Sequence, residues 1–289
     1  AIPAGSRTAC DTSTRTSGRL AGMATAGQTR NLRHAAEAAR DLVRRVGVVV
    51  RDLQGRVKTR DKGSGLGPVT EADFEAERLL IEGLEERFPG DAILSEETRQ
   101  TAAPDAEWLW CVDPIDGTRE YSQGLPEYAV MVGLLHRGAP AAGAIALPGE
   151  DKTFWGWAEG VALSDDERPI RLAPLHDPAE AVAVHTRSRV GPGLKRALEQ
   201  LGIQQTIAAG SVGYKVAQIL QGNAQIYVHT KAGTMWWDSV APAAILAAAG
   251  GEYGRADGTP LDYSGAPHHA HGLLFTVPGL LAPAAARLG

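Results

Sequence analysis

WLWCVDPIDGT, residues 108–118, decides how the rest of the chain is read. The run from Trp108 to Val112 is apolar throughout, as a buried strand is, and it gives way to two aspartates, a proline and a glycine. Pro114 lacks the N–H that a central strand uses, so the strand is expected to stop at Val112. Gly117 admits a positive φ or the close approach of a ligand. Asp113 and Asp116 then converge at a strand tip. Two carboxylates held there repel each other unless a cation lies between them, and hard oxygen ligands favour Mg²⁺ or Mn²⁺. The same letters also fit an ordinary Asp-Pro, Asp-Gly turn with both acids in water, so the acids elsewhere in the chain must decide.

The bulk properties bound the answer. With 289 residues, 44% hydrophobic and 22% charged, and a net charge of −5, the chain can bury a large core and offers no basic surface for nucleic acid. Its two cysteines, Cys10 and Cys111, do not suggest a structural disulfide, and a reducing, cytoplasmic setting fits. No apolar run approaches a membrane span. Residues 1–28 are rich in Ala, Gly, Ser, Thr and Arg with one acid, Asp11, and read as a disordered tail. The composition faintly resembles an organelle transit peptide, and Met23 could equally be a natural start.

Outward from the central stretch, residues 31–53 place Leu32, Ala35, Ala36, Ala39, Leu42, Val43 and Val46 at helical spacing. Residues 54–68 are polar and glycine-rich, which suggests an exposed loop or short hairpin. Residues 69–88 form a second helix, with Thr70 as N-cap, Asp73 in the first turn and Phe74, Leu79, Leu80, Ile81 and Leu84 on the apolar face. A short strand at 92–94 runs into Ser95-Glu96-Glu97. Strands at 128–135, 141–147 and 153–158 read as an antiparallel sheet. The polar, proline-containing segment 164–178 marks a lobe boundary, with an N-terminal lobe at 29–178 and a C-terminal lobe at 179–289 completing one catalytic unit. In the second lobe strands at 181–185, 204–208 and 224–228 alternate with helices at 193–201 and 211–220, which implies a sheet covered by helices. Trp237 and Asp238 precede an alanine-rich helix that ends at Gly250-Gly251, and strands at 251–255 and 273–277 and a helix from 280 close the chain.

Five acids stand at the ends of elements: Asp73, Glu96, Asp113, Asp116 and Asp238. Singly, Asp73 reads as half of a capping box with Thr70, and Asp238 as a helix-start acid beside a tryptophan pair. Jointly they describe an all-oxygen site for two or three Mg²⁺ ions, with Mn²⁺ an alternative, and such sites serve phosphoryl transfer. Backbone N–H groups of Gly117 and Thr118 can cradle a phosphate if a helix begins there. Trp155, Trp157 and Phe154 read as packing. His268, His269 and His271 read as an incidental surface loop.

These motifs carry a family resemblance. DPIDGT (113–118) resembles the DP(I/L)DGT motif of the Mg²⁺-dependent, lithium-sensitive sugar-phosphatase superfamily, which includes inositol monophosphatases and 3′(2′),5′-bisphosphate nucleotidases. Ser95-Glu96-Glu97 resembles its upstream acidic motif, and Trp237-Asp238-Ser239 with Gly250-Gly251 its WDxA…AGG motif. The resemblance implies an α/β layered sandwich with alternating α-β-α-β-α layers. It also implies one metal on Glu96, Asp113 and the Ile115 carbonyl, a second on Asp113, Asp116 and Asp238, and a third, weaker one on Glu96. Asp73, Thr118 and Glu96 become the catalytic set, with Asp73 orienting Thr118 to take a proton from attacking water. Gly117, Thr118, Arg189, Ser211, Lys215 and Asp238 become substrate contacts.

Arg119-Glu120-Tyr121 resembles the extension of this motif in the CysQ-type nucleotidases, whereas inositol monophosphatases usually carry Asn at the position of Glu120. Gly210 to Lys215 resembles that branch's nucleotide-binding motif. At residues 186–189 the chain departs from the branch, carrying arginines where a histidine is usual, which suits a second phosphate by bidentate bonds. The resemblance therefore implies a Mg²⁺-dependent phosphomonoesterase converting adenosine 3′,5′-bisphosphate to AMP and phosphate, inhibited by calcium and lithium. An inositol, sugar or histidinol phosphate phosphatase is the alternative within the superfamily, and a catalytically silent metal- or nucleotide-binding protein the alternative outside it. A small phosphate ester is the expected partner, with no nucleic acid or membrane, and relatives are often homodimers.

Overall fold

The computed structural model describes residues 30–61, 68–98, 105–188 and 190–289. The tail expected at 1–28 and Arg189 lie outside the described residues. Along the chain the elements are helix α1 (Leu32–Leu53), the hairpin β1 (Thr59–Asp61) and β2 (Pro68–Thr70), helix α2 (Glu71–Arg87), and strands β3 (Ala92–Ser95) and β4 (Trp108–Asp116). There follow the single turn α3 (Thr118–Ser122) and strands β5 (Ala129–His136), β6 (Ala139–Leu147), β7 (Lys152–Trp157), β8 (Ala162–Leu163) and β9 (Pro169–Ile170). The last part alternates β10 (Val182–Thr186), α4 (Pro192–Leu201), β11 (Gln205–Ala209), α5 (Val212–Leu220), β12 (Ile226–His229) and α6 (Trp236–Ala248), then β13 (Glu252–Arg255), β14 (Leu273–Thr276) and α7 (Leu281–Leu288).

Among the described residues the strands form, besides the β1–β2 hairpin, a seven-stranded sheet in the order β3-β4-β5-β6-β7-β8-β9 and a five-stranded sheet in the order β11-β10-β12-β14-β13. In the first, β3 pairs parallel with β4 and every later pair is antiparallel. In the second, β10 runs parallel to both β11 and β12, and β14 is antiparallel to β12 and β13. Helices α1 and α2 cover one face of the larger sheet, α5 and α6 lie between the sheets, and α4 and α7 cover the far face. The layers therefore read α-β-α-β-α, as expected.

Alternation along β5 makes this layering possible. Val130, Val132 and Leu134 belong to the core beneath α1 and α2, whereas Ala129 and Met131 belong to the core shared with the second sheet. Glycine lets α6 come close. A Cβ on Gly133 would lie 2.5 Å from the backbone nitrogen of Ala241, and one on Gly143 2.8 Å from the Ala241 Cα.

Two expectations need correction. Phe74, expected on the apolar face of α2, is 49% exposed, because it follows Asp73 by one residue and so points about 100° away from the buried stripe. The central strand was expected to stop at Val112 but runs on to Asp116. It can do so because the ladder with β5 shifts register there: Asp113 opposes Met131 and Asp116 opposes Ala129, so three steps on β4 match two on β5. Pro114 sits inside that bulge, where a missing donor does not break a regular ladder.

Candidate active site

The bulge also solves a geometric problem. Residues three apart on a regular strand point to opposite faces, so Asp113 and Asp116 would diverge. One extra residue restores them to the same side. Asp238, on the first turn of α6, joins them, and each of the three offers a carboxylate oxygen within 4.8 Å of the others. Asp113 is 1% exposed and its Oδ1 has no hydrogen-bond partner among the described residues. Burial pushes the Asp113 carboxyl well above the usual carboxylate range, helped by the charges of Glu96, Asp116 and Asp238 and a hydrogen bond with Glu96. Asp238 is raised well above that range and Asp116 is raised, in both cases chiefly by burial. An orphaned buried oxygen amid crowded carboxylates is the environment that a divalent cation relieves, so these residues fit a metal ion.

Each acid is fixed by its own local bonds. Gly117, with φ 93°, turns the chain from β4 into α3, and a Cβ there would press on Ser211 Cβ at 3.0 Å and the Glu127 carbonyl at 3.1 Å. Asp116 Oδ2 accepts from Ser211 Oγ and from the Gly213 N–H, both at 2.6 Å, at the start of α5. Asp238 Oδ2 accepts the Met235 N–H at 2.7 Å, and Ser239 Oγ hydrogen-bonds His269 Nε2 at 2.8 Å behind it. His269 was expected on a surface loop but is 4% exposed, and burial lowers its pKa to about 4. It is a neutral packing histidine that ties the loop before β14 to α6.

Asp73 is fully buried and serves two partners. Its Oδ2 closes the capping box, accepting from the Thr70 N–H at 2.7 Å and Thr70 Oγ at 2.6 Å. Its Oδ1 faces Thr118 Oγ at 3.1 Å, and Thr118 Oγ also lies 3.0 Å from the Ile115 carbonyl. Burial raises the Asp73 carboxyl, against the lowering effect of the Thr70 and Thr118 bonds. A helix does begin at Thr118, as the phosphate-cradle expectation required.

Beside the carboxylates opens a cleft of about 360 Å³, lined among others by Glu96, Thr118, Glu120, Ser188, Lys215 and Asp238. Lys215, expected either at the substrate or on a solvated face, is 3% exposed, and burial lowers its pKa to about 8. Its Nζ donates to the Gly210 carbonyl and lies 5.1 Å from the centre of the Tyr227 ring. Arg187, beside the cleft, uses Nη2 to pair with Glu127 and to donate to the Ala208 carbonyl at 3.1 Å. Trp155 and Trp157 stack on each other with Arg40 and Arg33 over them, consistent with packing.

Two site residues escaped the sequence reading. Glu127 accepts from the Gly210 N–H at 3.2 Å as well as from Arg187, and so anchors the loop that holds Asp116. No local pattern announces it. Glu77 holds the turn that carries Glu96, and its spacing of four from Asp73 on one helix face was the available signal.

Comparison with known proteins agrees with this geometry. The family model described as "Inositol monophosphatase family" matches residues 31–282. The chain belongs to the inositol monophosphatase family. It is 34% identical over 199 residues, 68% of this chain and 80% of the relative, to the 3′(2′),5′-bisphosphate nucleotidase CysQ of Shigella flexneri. It is 35% identical over 200 residues, 66% of this chain and 71% of the relative, to the 3′-phosphoadenosine 5′-phosphate phosphatase of Mycobacterium bovis. Among solved structures it resembles the inositol monophosphatase of Anabaena (Nostoc) sp. PCC 7120, with a TM-score of 0.76, 26% identity, and coverage of 90% of this chain and 96% of that one. As a family member it is a phosphoric monoester hydrolase. Among the described residues no helix is long and apolar enough to cross a membrane.

Proposed function

We propose that the chain is a Mg²⁺-dependent phosphomonoesterase that hydrolyses adenosine 3′,5′-bisphosphate to AMP and phosphate. The observation that carries the chemistry is the Thr118 hydroxyl, suspended between Asp73 and the Ile115 carbonyl at the edge of the carboxylate cluster. The substrate rests on the relatives, which are named for 3′(2′),5′-bisphosphate and for 3′-phosphoadenosine 5′-phosphate. Glu96, Asp113 and the Ile115 carbonyl would hold one cation and Asp113, Asp116 and Asp238 a second. When bound, such ions neutralise phosphoryl oxygens and make water a better nucleophile.

The chain's own residues then do the following. A threonine hydroxyl has one proton and two lone pairs, so while Thr118 Oγ donates to Asp73 Oδ1 it can accept from water. As that water's oxygen bonds to phosphorus, its proton passes to Thr118 Oγ and the threonine's proton to Asp73, while the ester oxygen leaves with the P–O bonding pair and takes a proton from solvent water. The raised pKa of Asp73 suits a carboxylate that accepts a proton. Attack is direct, so no phosphoenzyme forms. Lys215, Ser211 and the N–H groups of Gly117 and Thr118 orient the ester on the floor of the cleft.

The test is phosphate release by the purified protein, with Mg²⁺ and with EDTA, from adenosine 3′,5′-bisphosphate, inositol 1-phosphate, fructose 1,6-bisphosphate and histidinol phosphate. Mg²⁺-dependent preference for the first is expected. A clear preference for inositol 1-phosphate overturns the substrate assignment, and release unaffected by EDTA overturns the metal dependence.

A further inference from the structure

Glu77 is 1% exposed, one helical turn beyond Asp73 on α2, and has no place in the chemistry above. A buried carboxylate is unfavourable unless donors surround it. Its Oε1 gathers three: Ser95 Oγ, the Glu97 N–H at 3.0 Å and the Thr98 N–H at 3.1 Å. Those residues flank Glu96 on both sides. Among the described residues strand β3 is the edge of its sheet, with a neighbour on one side only, so no second ladder there holds the turn that follows. The Glu96 N–H meets the Val112 carbonyl at 3.3 Å on the β4 side, and Glu77 supplies the acceptor on the other. The Glu96 side chain, so placed, lines the same cleft as Asp116 and Asp238, and its charge helps to raise the Asp113 carboxyl.

We infer that Glu77 is a positioning residue: it fixes the turn that presents Glu96 to Asp113, and through that turn it sets the affinity of the site for a divalent cation. This rests on the proposed reading of Glu96 and Asp113 as metal ligands. Helix α2 then holds both sides of the site from one buried stripe, with Asp73 on Thr118 and Glu77 on the Glu96 turn.

Mn²⁺ alone is the probe, titrated into the full chain by calorimetry and by electron paramagnetic resonance, with the melting temperature of the metal-free protein measured in parallel. Glu77→Ala should weaken Mn²⁺ binding about 10–100-fold, the usual effect of removing a group that orients a ligand. Glu77→Gln keeps a neutral acceptor and should recover most of that loss while remaining about threefold weaker than wild type. In a Glu96→Ala background, adding Glu77→Ala should change nothing further. Wild-type affinity in folded Glu77→Ala overturns the inference; if that variant does not fold, wild-type affinity in Glu77→Gln overturns it. Wild-type protein that binds no Mn²⁺ removes both this inference and the metal reading. Wild-type protein that binds Mn²⁺ but hydrolyses none of the four esters removes the proposed function and leaves the inference about Glu77 standing.

Discussion

Asp113→Asn should stabilise the metal-free protein while abolishing activity in Mg²⁺. Asp113, Asp116 and Asp238 offer oxygens within 4.8 Å of one another. Two full charges at that separation repel by about 3.5 kcal/mol at an effective dielectric constant of ~20. Neutralising Asp113 removes two of the three pairwise repulsions and the need to protonate a buried acid. A raised pKa lessens the charge these carboxyls must carry, so the realised gain is a fraction of the full repulsion, about 1–3 kcal/mol. At roughly 2–4 °C per kcal/mol for a chain of this size, the melting temperature in EDTA should rise by several degrees. Asp116→Asn should gain less, because Asp116 accepts from Ser211 and Gly213 and stands against the buried Lys215 charge, which offset part of its burial. Weakening those bonds costs about 1–3 kcal/mol. Calorimetry of both variants, with EDTA and with Mg²⁺, reads the difference directly. If Asp113→Asn melts no higher than wild type in EDTA, or still gains stability on adding Mg²⁺, the crowded-carboxylate account is wrong.

Three further outcomes follow from the same contacts. Thr118→Val should slow phosphate release by about 10²–10⁴-fold, the usual worth of a positioned proton acceptor, with Mn²⁺ binding retained; unchanged turnover would remove Thr118 from the mechanism. Gly133→Ala should lower the melting temperature by the equivalent of about 1–3 kcal/mol, because its Cβ would press on Ala241 N and Val240 Cγ1, and a neutral result in thermal denaturation would mean that α6 is free to retreat from the sheet. The metal-free protein should lose stability as pH rises from the ordinary carboxylate range toward neutrality. Asp113, Asp116 and Asp238 have folded pKa values above their unfolded ones, so the folded state binds more protons across that window and is stabilised below it. Mg²⁺ should flatten the dependence, and denaturant melts at a series of pH values check the slope.

Much of the fold was legible because period and capping agree locally. Helices α1 and α2, strands β5 to β7 and the alternating second half lie within a few residues of where spacing and turn residues put them. What failed was information that one strand or helix does not carry by itself. The strand through Asp113 continues because β5 accepts a bulge opposite Val130, and Pro114 read alone argues for a stop. On α2 the buried stripe includes Asp73, Glu77, Leu80 and Leu84, at helical spacing, whereas residue type alone puts Phe74 inside and the acids outside. Two acids on an apolar stripe are themselves the sign of buried polar work. His269 is inside for a reason no local pattern contains, since its partner Ser239 is thirty residues away.

The choice the sequence posed, between acids that cap helices and acids that serve a site, was not a real alternative, because a carboxylate has two oxygens. Asp73 closes its capping box with Oδ2 and addresses Thr118 with Oδ1. Asp238 holds the start of α6 with Oδ2 and still contributes an oxygen to the cluster. Asp116 anchors α5 through Oδ2 and does the same. In each case the local bond fixes the rotamer and thereby aims the remaining group, so capping is how the fold makes a rigid site from residues far apart in the chain. Asp113 is the exception that gives the arrangement its purpose: Oδ1 has no partner among the described residues and is buried. Were the cluster only structural, that oxygen would have a donor like the others; its isolation among three oriented acids is what calls for a cation.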